Sequence, residues 1–265
     1  MGINLGSTAI SDLRVGETQV DKVYLGEEVV WEGGTPPVQV KALKFTSTGA
    51  QTLGVDGTKI GSIATTLDLE YSNDGTTWTA WDIANTLSFG NGTVLYVRGT
   101  NTMLATTGNN YLHFVFFTSS PVECSGNVMH LYDHTQDLTA FPSTSANDRG
   151  LKYLFQDCSS LVTSPELPAT TLVPFCYNEM FNGCSSLVAA PELPANLHQQ
   201  DCYTKMFNGC SNLGYVKCLI ASPPLAGYTS WLANVLADGI FVKLAGTQWP
   251  TGDSGIPTGW TVEEV

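Results

Sequence analysis

The sequence predicts a mainly β, multi-domain protein: a small N-terminal β-repeat anchor, a β-sandwich, and a short solenoid closed by a C-terminal cap. Three observations predict it. Residues 151–228 repeat three times with an unvarying 26-residue period, and such a period marks units that bury their apolar face only against the next unit. Residues 3–31 carry a second repeat, of 10 residues. Between them, residues 38–120 alternate apolar and polar residues in short runs broken by Asn, Asp and Gly, the pattern of half-buried antiparallel strands.

The anchor, residues 1–33, lines up Ile3/Leu13/Val23, Leu5/Val15/Leu25, Gly6/Gly16/Gly26 and Ile10/Val20/Val30. Lys22 to Trp31 reads as its clearest hairpin, two alternating runs about a Gly turn. About thirty residues of small β-repeats do not assemble a sufficient core alone. The segment is therefore expected to lean on its neighbour, to self-associate (a homotrimer is favoured), or to dock on a partner through Ile3, Leu5, Leu13, Val15, Val23, Tyr24, Leu25, Val30 and Trp31. Gly33-Gly34-Thr35-Pro36-Pro37 then breaks the chain with a partly stiffened linker.

In residues 38–120, Leu67, Leu69 and Tyr71 alternate with Thr66, Asp68 and Glu70, and Asn73-Asp74-Gly75 supplies a tight turn before a return strand at Trp78–Trp81. Further strands are expected at 40–47, 93–98 and 111–118. Short strands at such intervals suggest a sandwich of immunoglobulin-like type.

Residues 121–228 form the expected solenoid, with 124–133 as an atypical first coil. Phe155/Phe181/Phe207, Cys158/Cys184/Cys210 and Leu161/Leu187/Leu213 recur in register and are its candidate core. A short helical turn is expected around Tyr177–Phe181, and an extended stretch at Leu167–Leu172. Residues 229–265, with Trp231, Trp249 and Trp260, read as the cap that keeps the last coil's apolar end from water.

Composition narrows the function classes. The net charge of −13, with no Lys/Arg cluster, disfavours nucleic acid. No apolar run approaches the roughly 18–20 residues that span a bilayer, so membrane insertion is not expected. Met1-Gly-Ile-Asn-Leu has neither the basic region nor the apolar core of a secretory signal; with Met1 as the native start, synthesis in a cytoplasm and exit by a route other than Sec export are expected. Six of the seven cysteines occupy repeat-related positions. Equivalent side chains of stacked coils point in parallel, whereas a disulfide needs converging Cβ vectors, so buried thiol ladders are favoured over disulfides or a metal.

Residues that could carry chemistry are few. His130 and His134 stand four apart beside Asp133 and Asp137, a spacing that holds a metal only on a helix, and a solvated or capping role is preferred. Ser72 to Trp78 resembles the Asp-box turns of sialidases, which are not catalytic. Glu166 and Glu192 stack at equivalent repeat positions rather than facing each other across a cleft, as glycoside hydrolysis needs. No cofactor is expected, nor an enzyme. Aromatic rings are the candidates for contact with a receptor surface: Tyr177, Tyr203 and Trp249 foremost, with Trp78 and Trp81 beside them, against packing as the plainer reading.

The Met-Phe-Asn-Gly-Cys-Ser-Ser-Leu and Pro-Glu-Leu-Pro segments resemble the Treponema/Bacteroides-type leucine-rich repeats of bacterial surface adhesins, over residues 124–228. The tail from Gly255 and the segments 69–82 and 88–101 are similar to sequences that accompany those repeats, a combination similar to fibre proteins of crAss-like phages of gut Bacteroidetes. The third copy departs by carrying Lys217-Cys218-Leu219-Ile220 in place of Pro-Glu-Leu-Pro. The resemblance implies adhesion by a rigid surface, with no catalytic residues. The expectation is a phage virion fibre (head fibre before tail fibre) on the virion surface, joined to other virion proteins through its N-terminus and touching host glycans or proteins. The alternative is a cell-surface adhesin of a gut Bacteroidetes bacterium.

Overall fold

Alternation in the N-terminal repeats is realised as paired strands. In the computed structural model, β1 (Arg14–Val15) pairs antiparallel with β2 (Thr18–Gln19), and β3 (Lys22–Leu25) with β4 (Glu28–Glu32), in the registers Val15↔Thr18 and Val23↔Trp31. A bulge lies between Val23 and Tyr24. The structure describes the backbone of these four strands and residues 40–108, 110–142, 148–195, 197, 199–221 and 228–265. Ile3, Leu5, Leu13 and the 33–37 linker lie outside the described residues, as do the side chains of Val15, Val23, Tyr24, Leu25, Val30 and Trp31. The chain divides into two units, Met1–Val40 and Lys41–Val265. It is mainly β; among the described residues no helix is long and apolar enough to cross a membrane.

The second unit begins with two sheets. One runs through β13 (Leu161–Thr163), β12 (Val122–Ser125), β5 (Leu43–Ser47), β10 (Leu95–Gly99), β7 (Leu69–Ser72) and β8 (Thr79–Ala80) in that order. The other runs β11 (Phe114–Phe116), β6 (Gln51–Val55), β9 (Leu87–Phe89). Alternation puts Leu95 and Val97 of β10, and Leu43 and Phe45 of β5, inside. Phe45 sits among Phe89, Phe114 and Phe116 of the facing sheet at 5.9–6.2 Å between ring centroids, so the two faces close on one aromatic core. Asp74 closes the turn between β7 and β8. Its carboxylate accepts the N–H groups of Thr76 and Thr77, both at 2.7 Å, and these bonds with the Ser72 hydroxyl hold it well below the usual carboxylate range.

The boundary expected at residue 120 is not a break. Strand β12 pairs antiparallel with β5 along Val122–Ser125 and, on its other edge, parallel with β13, a strand of the first 26-residue copy. Parallel bridges Asn127↔Glu166 and Ala140↔Thr171 continue that contact. Sandwich and repeats therefore share one strand and one continuous core.

From Gly150 onward the chain lies in stacked layers held by their backbones. Alternate N–H groups reach the next layer: Tyr153 to the Asn178 carbonyl, Phe155 to Met180 and Asp157 to Asn182. Tyr177, Glu179, Phe181 and Gly183 donate likewise to Cys202, Thr204, Met206 and Asn208, and Lys205, Phe207 and Gly209 to Thr229, Trp231 and Ala233. The intervening N–H groups close turns within the layer, as Met180 does on Tyr177 and Cys184 on Phe181. The helical turn expected at Tyr177–Phe181 is thus absent. Its backbone alternates instead, with positive φ at Tyr153 (64°), Glu179 (53°) and Lys205 (51°), at the same place in successive layers. A non-glycine residue there costs roughly 1–2 kcal/mol, and the hydrogen bonds to the next layer hold it in place.

Residues 229–265, expected as a cap, add two further strands. β14 (Tyr215–Cys218), β15 (Ile240–Lys243) and β16 (Thr261–Glu264) form a parallel sheet in that order. Trp231, fully buried, takes over at the end of the phenylalanine column, 6.4 Å from Phe207.

Candidate interaction surface

What faces inward in each layer is set by the repeat. Phe155, Phe181 and Phe207 stack face to face at 5.6 Å with planes 1° apart. Leu161, Leu187 and Leu213 are fully buried beside them. The cysteine column has a specific partner: Cys158 Sγ donates to the Phe114 carbonyl (3.2 Å), Cys184 Sγ to Phe155 (3.0 Å) and Cys210 Sγ to Phe181 (3.1 Å). Cys184 and Cys210 thus add a second donor to carbonyls of the layer before them, which already accept the N–H groups of Cys158 and Cys184, and Cys158 reaches back to β11. All seven cysteines are free and buried. Burial pushes the thiols up, those of Cys202, Cys210 and Cys218 to about 12.

Two of the three rings expected at a receptor surface lie inside. Tyr177 and Tyr203 are each 1% exposed and stack on one another at 6.0 Å. Sequence marks them as a column but not which side of the layer the column faces, and neither is open to a sugar or a partner. Trp249 is half-buried, packed on Trp231 at 5.5 Å and Phe241 at 5.1 Å, and borders a hollow of about 410 Å³ at the C-terminal end with Ile256, Trp260 and Val262. Trp81 is buried, and Trp78 lies under the Arg98 guanidinium at 3.7 Å.

The histidines are engaged separately. His130 Nε2 meets Asp137 Oδ1 at 2.9 Å, Asp137 also accepts from Lys41 at 2.8 Å, and His134 Nδ1 meets the Gly99 carbonyl at 3.1 Å. Among the described residues no group of three or more His, Cys, Asp or Glu side chains is placed to hold a metal.

The surface that sequence reasoning missed lies one residue past the buried leucines. Val162 and Val188 follow Leu161 and Leu187, and alternation turns them outward; Val188 is 48% exposed. They border a trough of about 450 Å³ whose walls are the two Pro-Glu-Leu-Pro arms, with Pro165 and Pro168 on one side and Pro191 and Pro194 on the other. Val162 also walls a smaller hollow of about 210 Å³ with Thr46, Pro121 and Glu123, so the depression continues onto the sandwich. Glu166 and Glu192 stand on exposed positions of the arms. Lys217 binds Glu192 at 2.8 Å. The signal was present: a β-branched residue next to a core leucine, repeated at the same period.

No protein-family model, curated protein or solved structure matches this chain.

Proposed function

We propose that the protein is a non-enzymatic virion fibre of a phage of the crAss-like kind, a head fibre before a tail fibre. Its stacked layers are then a leucine-rich-repeat solenoid spliced to an immunoglobulin-like sandwich. The observation that carries this reading is the layer-to-layer backbone ladder from Tyr153 to Gly209, built on a strand shared with the sandwich. Such an object presents a stiff face, and its work is contact rather than turnover. Seven buried free thiols favour folding in a reducing compartment, as in a cell where virions assemble, over passage through an oxidising one. That observation favours the virion surface over the surface of a bacterial cell.

Under this reading residues 1–33 join other virion proteins and associate as a homotrimer, since small β-repeats gain their missing core from copies of themselves. The outward unit touches host glycans or proteins, and several weak contacts on one particle raise avidity by about 10²–10⁴. The test is incorporation. Full-length protein is expected in purified particles and a form lacking residues 1–33 is expected to fold but to stay out of them. Truncated protein found in particles, or full-length protein absent from them, sinks the assignment.

A further inference from the structure

We propose that the trough between the two Pro-Glu-Leu-Pro arms takes an extended, cationic segment of a partner protein. Apolar side chains of that segment rest on Val162 and Val188, and its Lys or Arg side chains meet the carboxylates along the rim. The inference rests on the reading of the chain as a contact protein and names the chemistry of what it contacts.

Shape and charge support it. Four prolines stiffen the walls, and proline loses little conformational freedom on binding, so the trough is preformed. Val188, half exposed beside it, is the kind of apolar position that stays open to water until something covers it. Glu166 lies on the first arm and Glu123 at the sandwich end, while Glu192 on the second arm is already paired with Lys217. In a chain with 24 acidic and 11 basic residues, the surrounding field adds to their attraction for a cation and repels an acidic ligand. The third copy ends the site: it carries Cys218 at the place of Glu166 and Glu192, and the neighbouring Lys217 pairs with Glu192. A glycan fits less well. The lining is prolyl and aliphatic, without an aromatic ring, and sugars bind where an aromatic face and convergent hydrogen bonds meet them.

The test uses the full chain on arrayed heptapeptides that alternate Val with Lys, Val with Glu or Val with Ser, beside an array of neutral oligosaccharides. Retention by the Val/Lys peptides is expected, weakened about tenfold or more by Glu166→Lys and severalfold by Val188→Asn, which removes the apolar contact without adding charge, and reduced by salt as screening predicts. Glu166→Gln, a milder change, is expected to weaken it less. Thermal melts confirm that each variant is folded; Val188 and Glu166 are exposed, so all three are expected to fold. Equal retention of Val/Lys and Val/Ser peptides, retention unchanged in both Val188→Asn and Glu166→Lys, or oligosaccharide retention that Val188→Asn abolishes would each overturn the proposal. If Val188→Asn binds host cells as the parent does while no peptide is retained, the trough falls and the contact reading stands. Peptide binding as expected, from a protein absent from virions, leaves the trough and removes the fibre reading.

Discussion

The sandwich and the stacked layers bury the same kind of side chain by different backbone rules. In the sandwich, Phe45 and Phe114 meet edge to face, 86° apart, because strands from two sheets bring them together. In the layers, Phe155, Phe181 and Phe207 lie flat on one another because the chain returns to the same place at a fixed interval. The first core depends on contacts between distant strands; the second is a sum of nearest-neighbour steps. One strand, β12, belongs to both. The second core is also rich in ionisable groups, with six of the seven cysteines in the repeats and Tyr177, Tyr203 and Tyr228 beside them, whereas beside Phe45 of the sandwich the shared strand places one, Cys124.

That difference makes alkali the sharpest way to separate the two. An unfolded thiol ionises near pH 8.5, while Cys202, Cys210 and Cys218 stay protonated in the folded chain to about 12. The folded state therefore holds the proton longer, and its stability is intact below about pH 8.5 and lost as pH rises towards 12. Each thiol contributes a loss of about 1.4 kcal/mol per pH unit once its unfolded form is ionised, so these three together remove about 4 kcal/mol per unit. Urea midpoints measured from pH 7 to 10 are expected to be flat and then to fall steeply. A midpoint at pH 10 equal to that at pH 7 contradicts the buried-thiol arrangement.

Removing one ring from each core tests whether they are energetically separate. Phe181→Ala opens a gap between two stacked rings and Phe45→Ala one between two sheets, and each is expected to cost about 3–5 kcal/mol. Because β12 carries both cores, either change is expected to shift a single transition, read identically by tryptophan fluorescence and far-ultraviolet circular dichroism. Two transitions, with only one moved by each variant, would show that the shared strand does not couple them.

A smaller loss probes the entry to the layers. Gly150 has φ 58°, and a Cβ there would stand 2.7 Å from Cys176 Cβ and 2.8 Å from its Cα. Both the left-handed backbone and the close approach oppose a side chain, so Gly150→Ala is expected to cost about 2–3 kcal/mol in urea unfolding. No loss would mean that the first layer is not seated on the second as described.

How much of this was legible depends on the type of regularity. The columns Phe155/Phe181/Phe207 and Cys158/Cys184/Cys210 were readable because a period survives whatever the backbone does within it. Strands β5, β7 and β10 were readable from alternation, and the pairing of β3 with β4 from the runs about Gly26. Strand β6 was not, since Gln51 and Gly54 interrupt its pattern and owe their burial to neighbours far along the chain. The turn expected as helical at Tyr177–Phe181 is not, because left-handed backbone, here at Glu179, usually announces itself by Gly or Asn and in this layer is imposed by the adjacent one. Nor does a period say which way a column points, which is why Tyr177 and Tyr203 looked available and Val188 did not.

The smallest effect separates two accounts of the cysteine column. As small apolar fillers, its members would tolerate Ala at the cost of a minor cavity; as donors they also add a second hydrogen bond to carbonyls of the preceding layer. Cys184→Ala removes the 3.0 Å bond to the Phe155 carbonyl and is expected to cost about 1–2 kcal/mol. Cys124→Ala is the control from the shared strand. Cys124 is equally buried, and its backbone, rather than its thiol, makes the bonds to Thr163, at 3.1 and 3.0 Å, so the cavity term alone applies. A larger loss at Cys184 than at Cys124, in urea unfolding at pH 7, assigns the excess to the thiol bond. Equal losses would reduce the column to packing, and the recurrence of cysteine at that place in every layer would then reflect its size alone.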